Sequence, residues 1–249
     1  MRIAAISDVH GNVFALQRVL EAVRADDVDV LVNLGDHLSG GIDPAATAAL
    51  LMNTPAITVR GNHDRQVLDL HPDQMGASDR LVHETISTEQ RAGLASLPLT
   101  AEVTPAVLAF HGTPTNDSQY LLETVEPSGA RPARIEEIEK RLNGIDSSYD
   151  LLLCGHTHIQ RAVTLPDGTL IVNPGSVGYP AYKDDRPYEH VMEAGSPHAR
   201  YAVLDDVSGH WALEFREVEY DWEAAAKLAR RNKRPDVEHA VLTGTVATR

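Results

Sequence analysis

Cysteine occurs once among the 249 residues, as Cys154. A lone thiol excludes an intrachain disulfide and a cysteine-built zinc site, and it fits a reducing compartment. Basic residues are also scarce: 22 Lys and Arg stand against 36 Asp and Glu, a formal charge of −14. Nucleic acid and anionic membranes attract the opposite balance, so neither is expected as a partner. A small anionic substrate stays open, because bound cations reverse a local field. Long apolar runs are missing as well. The opening "MRIAAISDVHGN" reaches an aspartate too soon for a signal peptide or a membrane span. The expectation is a soluble, cytoplasmic protein. Solenoid-period repeats and low-complexity tracts are absent too.

What is present is enough apolar material, 43% of residues, to bury a full core. It recurs as short runs that stop at polar residues of the metal-binding kind. "RIAAISDVH" ends in Asp8 and His10, and "VDVLVNLGDH" in Asp36 and His37. "AITVRGNHD" ends in Asn62, His63 and Asp64, "AVLAFHG" in His111, and "YDLLLCGHTH" in His156 and His158. Such runs, alternating with helical stretches, read as buried strands of a layered α/β fold.

Helices are expected over Val13 to Arg24 and over Pro44 to Asn53, the second with Asp43 as N-cap. Others are expected from Ser87, where Gln90 completes a capping box, over "PARIEEIEKRL", and from Asp221 to Asn232. Two hairpins follow, one around Pro166-Asp167-Gly168 and one turning at Ser208-Gly209. The fold class is therefore α/β: a four-layer α/β/β/α sandwich of two mixed sheets packed face to face. Its ligand site should lie at the strand C-terminal ends. Residues 1–234 are read as one domain and 235–249 as a loose tail.

The strand ends carry hard oxygen and borderline nitrogen donors, a set that suits manganese, iron, zinc, cobalt or nickel. Asp8, His10, Asp36, Asn62, His111, His156 and His158 are too many ligands for one divalent ion. With Asp36 bridging, two ions receive four protein ligands each. Two such ions bring about four positive charges, and Asp8 and Asp36 return two negative ones. A neutral amide at Asn62 leaves the pair net positive, which favours an anionic substrate.

In this order, Asp8-Val9-His10, Gly35-Asp36, Gly61-Asn62-His63-Asp64, His111 and Gly155-His156-Thr157-His158 resemble the calcineurin-like metallophosphoesterase superfamily. "SDVHGN" and "NPGSVGYP" resemble its compact prokaryotic phosphodiesterase-like branch. The resemblance implies that Asp8, His10, Asp36 and His158 hold one ion, and Asp36, Asn62, His111 and His156 the other. It implies two divalent ions, manganese foremost, and hydrolysis of small phosphodiesters or phosphomonoesters, nucleotides among them, by a metal-bridging hydroxide. His63 is then the general acid, oriented by Asp64. Two metals about 3.5–4 Å apart suit in-line phosphoryl transfer, and an imidazole suits protonation of the leaving oxygen.

Departures narrow the branch. Phosphoprotein phosphatases of this superfamily continue the Gly-Asp pair with Asp-Arg-Gly and follow Gly-Asn-His with glutamate, whereas this chain has "GDHLSGG" and "GNHD". The Arg-Gly-Pro of symmetrical dinucleoside tetraphosphatases is also missing. Protein phosphatase and dinucleoside polyphosphate hydrolase remain as alternatives, as does a non-catalytic scaffold on the same fold. His37 touches substrate, tunes a metal, faces solvent or supports a ligand. Asn12 reads as a helix cap and Cys154 as core. Segments 113–130 and 177–200 look irregular, and their Tyr120, Tyr179, Tyr182, Tyr188, Lys183, Arg186 and Arg200 either line a substrate pocket or pack the loops or a dimer contact; the substrate-binding residues stay open. Oligomeric state stays open, a homo-oligomer included.

Overall fold

Alternation along β1 (Arg2–Ile6) sets up the layers. Ile3 and Ala5 face one apolar cluster, while Ala4 and Ile6 face another, as the two-residue period of a strand requires. The computed structural model describes residues 1–145 and 148–247. Parallel pairing joins β1 to β2 (Val30–Asn33) and β2 to β3 (Ile57–Thr58). The hairpin β13 (Ala199–Val207) and β14 (His210–Val218) adds to β1 antiparallel, giving the order β14-β13-β1-β2-β3.

The second sheet has the same mixed character. Its parallel centre is β5 (Val107–Phe110), β8 (Leu151–Leu153) and β10 (Leu170–Pro174). The antiparallel β4 (Thr100–Thr104) and β9 (Gln160–Thr164) close its two edges. Ile3, Ala5 and Val32 of the first sheet meet Ala109, Leu153 and Val172 of the second in a fully buried layer.

Helices cover both outer faces. α1 (Val13–Ala25) starts at Asn12, whose side chain accepts from Ala15 N, and lays Leu16, Val19 and Leu20 on the first sheet. α7 (Trp222–Arg231) packs beside it. α6 (Ile135–Arg141) covers the second sheet, where Ile138 meets Leu152, Ile171 and Cys154. α2 (Pro44–Met52), α3 (Asn62–Asp69), α4 (Ala77–Thr85) and α5 (Thr88–Ala95) form a satellite cluster around Leu38, Val67, Val82 and Leu94. α5 carries the expected Ser87–Gln90 capping box. The four-layer sandwich read from the sequence is the fold observed.

Two expectations need correcting. The segment after Arg234 is not a loose tail: Pro235 opens α8 (Pro235–Thr243), Val237 and Val241 are buried against the α1–α7 core, and Ala240 is buried as well. Three apolar residues at helical spacing are too few to stand out in sequence, yet they find a waiting groove. Residues 248 and 249 of that stretch lie outside the described residues. Segments 113–130 and 177–200 are also less irregular than expected. They contain strands of two small ribbons, β6 (Glu123–Glu126) with β7 (Gly129–Pro132) and β11 (Ala181–Asp184) with β12 (His190–Glu193). Among the described residues no helix is long and apolar enough to cross a membrane.

Candidate metal centre

The strand ends of both sheets converge on one buried region, and the backbone bends sharply to deliver them. Eight described non-glycine residues have positive φ, and five are Asp8, His10, Asp36, His156 and His158. Such conformations are disfavoured for residues with a Cβ and cluster where function demands them. Glycines beside them permit close approach. A Cβ on Gly61 would stand 2.1 Å from Asp36 Oδ1, and one on Gly155 would stand 2.0 Å from Ser7 Oγ.

Two donor groups result. The ligand atoms of Asp8, His10 and His158 lie within 4.8 Å of one another, as do those of Asp36, His111 and His156. Asn62 joins the second group, its Oδ1 3.1 Å from His111 Nε2. The groups adjoin: Asp36 Oδ2 is 3.3 Å from His111 Nε2 and 3.9 Å from His10 Nε2. Asp8 Oδ1 is 3.3 Å from His158 Nε2 and 4.0 Å from His111 Nε2.

Backbone carbonyls fix the tautomers. Nδ1 of His10 faces Ser39 O at 2.6 Å, that of His111 faces Leu34 O at 2.7 Å, and that of His158 faces Tyr179 O at 2.6 Å. A carbonyl only accepts, so each Nδ1 carries the proton and each Nε2 is turned inward. His10 Nε2 and His158 Nε2 then stand 3.0 Å apart with no protein hydrogen to share in the neutral state. Asp8 Oδ1, fully buried, has no hydrogen-bond partner among the described residues. Facing lone pairs and an orphaned carboxylate oxygen fit divalent cations, which satisfy all of them at once.

The electrostatics agree. Burial raises the Asp8 carboxyl, but His158, His10 and His111 outweigh it and hold the group well below the usual range. Asp36 is likewise lowered against burial, chiefly by His111 and His63. Burial pulls His111 down, yet Asp36 and Asp8 lift it to about 10. His156 goes the other way, to about 4, because burial and the adjacent His111 both oppose its charge.

His63 stands half-buried at the edge of this region, its ring centroid 5.6 Å from that of His10. Its backbone N–H donates to Asp36 Oδ1 at 2.9 Å, and its Nδ1 lies 2.8 Å from Asp79 Oδ1 on α4. Burial lowers the imidazole, but Asp36, Asp79 and Asp64 raise it to about 9.

The model of the calcineurin-like phosphoesterase superfamily domain matches residues 1–194 of this chain. The chain belongs to that superfamily. A search among curated proteins finds an uncharacterized protein, MJ0912, of Methanocaldococcus jannaschii, 27% identical over 94% of each chain. Among solved structures, a metallophosphoesterase from Sphaerobacter thermophilus superposes with a TM-score of 0.75 at 24% identity, covering 98% of this chain and 99% of that one. The hypothetical protein PH1004 from Pyrococcus horikoshii OT3 gives 0.76 at 19%, covering 99% of both chains. These two likenesses are of fold.

Within this phosphoesterase fold the structure brings Asp8, His10, Asp36, Asn62, His111, His156 and His158 together, with His63 beside them. Asp64 sits elsewhere than expected. It does not touch the His63 ring; its carboxylate accepts from Asp36 N, His37 N and Gly61 N and pairs with His37 Nδ1 at 2.7 Å. As the third residue of α3 it points back over the helix start, toward the strand end rather than toward its neighbour's side chain. His37, its partner in that contact, is buried and so does not face solvent.

Asp79 was not singled out in the sequence, because it lies on another helix in a stretch without motif. Asn173 and Ser176 were quoted only as flanks in "NPGSVGYP". Asn173 Nδ2 donates to Gly155 O at 2.7 Å, and Ser176 Oγ donates to Asp8 O at 2.8 Å, so this loop ties the two sheets' strand ends together.

Of the candidate pocket residues, Tyr120, Tyr179 and Tyr182 reach the site. Tyr182 packs on His158 at 4.6 Å between ring centroids, Tyr120 on His156 at 4.9 Å and Tyr179 on His10 at 5.4 Å. Arg200 does not: it is buried against Ala194 O, Ser196 and Glu217. Lys183 pairs with Glu189, while Arg186 and Tyr188 are exposed.

Proposed function

We propose that this protein hydrolyses small phosphate esters, diesters in preference to monoesters, at a pair of divalent metal ions. The observation that carries this is the inward-facing set of imidazole nitrogens and carboxylates, joined at Asp36 and Asp8, which a pair of divalent cations would satisfy together. On this reading Asp8, His10, Asp36 and His158 hold one ion, and Asp36, Asn62, His111 and His156 the other. Oxygen and imidazole donors without thiolate suit manganese, iron, zinc, nickel or cobalt, and manganese is placed first on the family resemblance alone. Two ions so held supply Lewis-acid charge at the phosphoryl oxygens and lower the pKa of an attacking water.

The chain's own residues do the rest. Asn62 keeps the donor set short of negative charge, which favours an anionic ester in an otherwise acidic protein. His63, charged by Asp36 and Asp79, holds a proton at the edge of the centre and delivers it to the leaving oxygen. Asp79 fixes the ring through Nδ1, so the other nitrogen is the one that donates. Tyr120, Tyr179 and Tyr182 present half-buried rings beside the candidate ligands, which suits an ester with an aromatic or nucleoside group.

The test is the initial rate on bis(p-nitrophenyl) phosphate after manganese loading, with and without a chelator, against a panel of monoesters, dinucleoside polyphosphates and phosphopeptides. Chelator-sensitive turnover with diesters preferred supports the proposal. Absence of turnover in protein shown to carry two metals refutes it and favours a scaffold.

A further inference from the structure

On the two-metal reading Asp36, Asn62, His111 and His156 hold one ion, and a single loop joins two of these ligands. It leaves β5 directly after His111 and runs from Gly112 to Tyr120. There it meets His156 twice. The His156 imidazole is hydrogen-bonded to the Ser118 backbone, and the Tyr120 ring stands edge-on to it at 4.9 Å between centroids.

The loop folds tightly on itself. Thr113 N donates to Asn116 O at 2.8 Å, and Ser118 N donates to Asn116 Oδ1 at 2.9 Å. A Cβ on Gly112 would stand 2.7 Å from Asn116 O and 2.8 Å from both Asp117 O and Gln119 O, so a side chain there would push the loop off.

Arg65 ties this loop to α3. Its Nε donates to Asp117 Oδ2 at 2.7 Å, and its Nη2 donates to Asp117 Oδ1 at 2.8 Å and to Ser118 Oγ at 3.2 Å. A planar guanidinium on both carboxylate oxygens fixes direction as well as distance, which a lysine would not. The Asp117 side chain is only 7% exposed, so this pair is more than a solvated surface contact. Arg65 also follows Asn62 by three residues, one turn along the same face of α3. One end of the link is rooted beside Asn62, and the other ends at the residue whose backbone holds His156.

Resting on the two-metal reading, we propose that Arg65 is a positioning residue for one ion only, the one held by Asp36, Asn62, His111 and His156. Through Asp117 and Ser118 it keeps the His156 imidazole in register with Asn62. The other ion's imidazoles are oriented outside this link, His10 by the Ser39 carbonyl and His158 by that of Tyr179. A link that only stabilised the fold would favour neither ion.

The experiment is a calorimetric titration of the metal-free full chain with manganese, read as the affinity of each equivalent. The wild type should take up two. Arg65→Ala should keep one at wild-type affinity and weaken the other about tenfold, the lower end for loss of a group that orients a ligand. In a His156→Ala background, where no imidazole is left to position, Arg65→Ala should change the remaining affinity less than about twofold. Arg65→Ala leaves the Asp117 carboxylate buried and unpaired; should that variant not fold, Asp117→Asn, of the same shape and uncharged, carries the test with the same expectation. Two equivalents at wild-type affinity in the variant, equal weakening of both, or a further tenfold loss in the His156→Ala background each overturns the proposal. A wild type that takes up fewer than two equivalents overturns the two-metal reading itself, and the role of Arg65 with it.

Discussion

His10 Nε2 and His158 Nε2 face each other at 3.0 Å while the Nδ1 of each ring is spent on a backbone carbonyl. A divalent cation would take a lone pair from each nitrogen at once, so metal should stabilise the fold as well as support turnover. Chelation is expected to abolish phosphoesterase activity and lower the melting temperature. Manganese at 1,000 times its dissociation constant should restore about 4 kcal/mol. His158→Ala should lose one of two metal equivalents by elemental analysis; retention of both would contradict the assignment.

His111, lifted to about 10, and His63, lifted to about 9, both lie above the ~6.5 of a free imidazole. Burial opposes both shifts and the Asp36 charge overcomes it. A raised folded pKa means stability fully present below about pH 6.5 and lost as pH rises through the folded values. The chelated protein should therefore melt progressively lower from about pH 7 to about pH 10. Metal-loaded protein should show much less of this slope, because the cation takes the place of the proton. A flat profile for the chelated protein would count against these shifts.

Asp79, and not Asp64, holds the His63 ring. Asp79→Asn should leave metal content intact and slow a diester with an alkyl leaving group about 100-fold, the lower end for a lost general acid. A p-nitrophenyl diester, whose leaving group needs little protonation, should slow less than about threefold. Equal losses on both substrates would place Asp79 in structure only.

Gly61 has no room for a side chain, since its Cβ would press on Asp36 Oδ1 and Asp36 N at 2.1 and 2.4 Å. Gly61→Ala should cost about 1–3 kcal/mol in denaturant unfolding and should weaken metal binding, because the displaced group is the shared carboxylate.

α8 is part of the core, with Val237 and Val241 fully buried. Val237→Ala should cost about 2 kcal/mol from two lost methyl groups and the space they leave. Truncation after Arg234 should destabilise the protein further; an unchanged melting temperature would restore the view of this segment as a tail.

Much of this was legible in the chain itself. Short apolar runs ending in Asp8, Asp36, Asn62, His111 and His156 are local patterns, and a layered α/β fold brings such ends to one edge by its own geometry. Asn12, Asp43 and Ser87 announced their helices because capping is a contact across three residues. Other features were decided only in three dimensions. The Asp64 carboxylate turned to His37 because the helix start points it back at the strand end, and the vacancy beside His63 was filled by Asp79 from a helix with no motif of its own. Val237 became core only because α1 and α7 leave a groove for it. The sequence by itself determined which donor atoms this protein owns and the sheet ends that carry them. Tertiary structure decided which carboxylate faces which imidazole, since that depends on distances between segments that no local periodicity encodes.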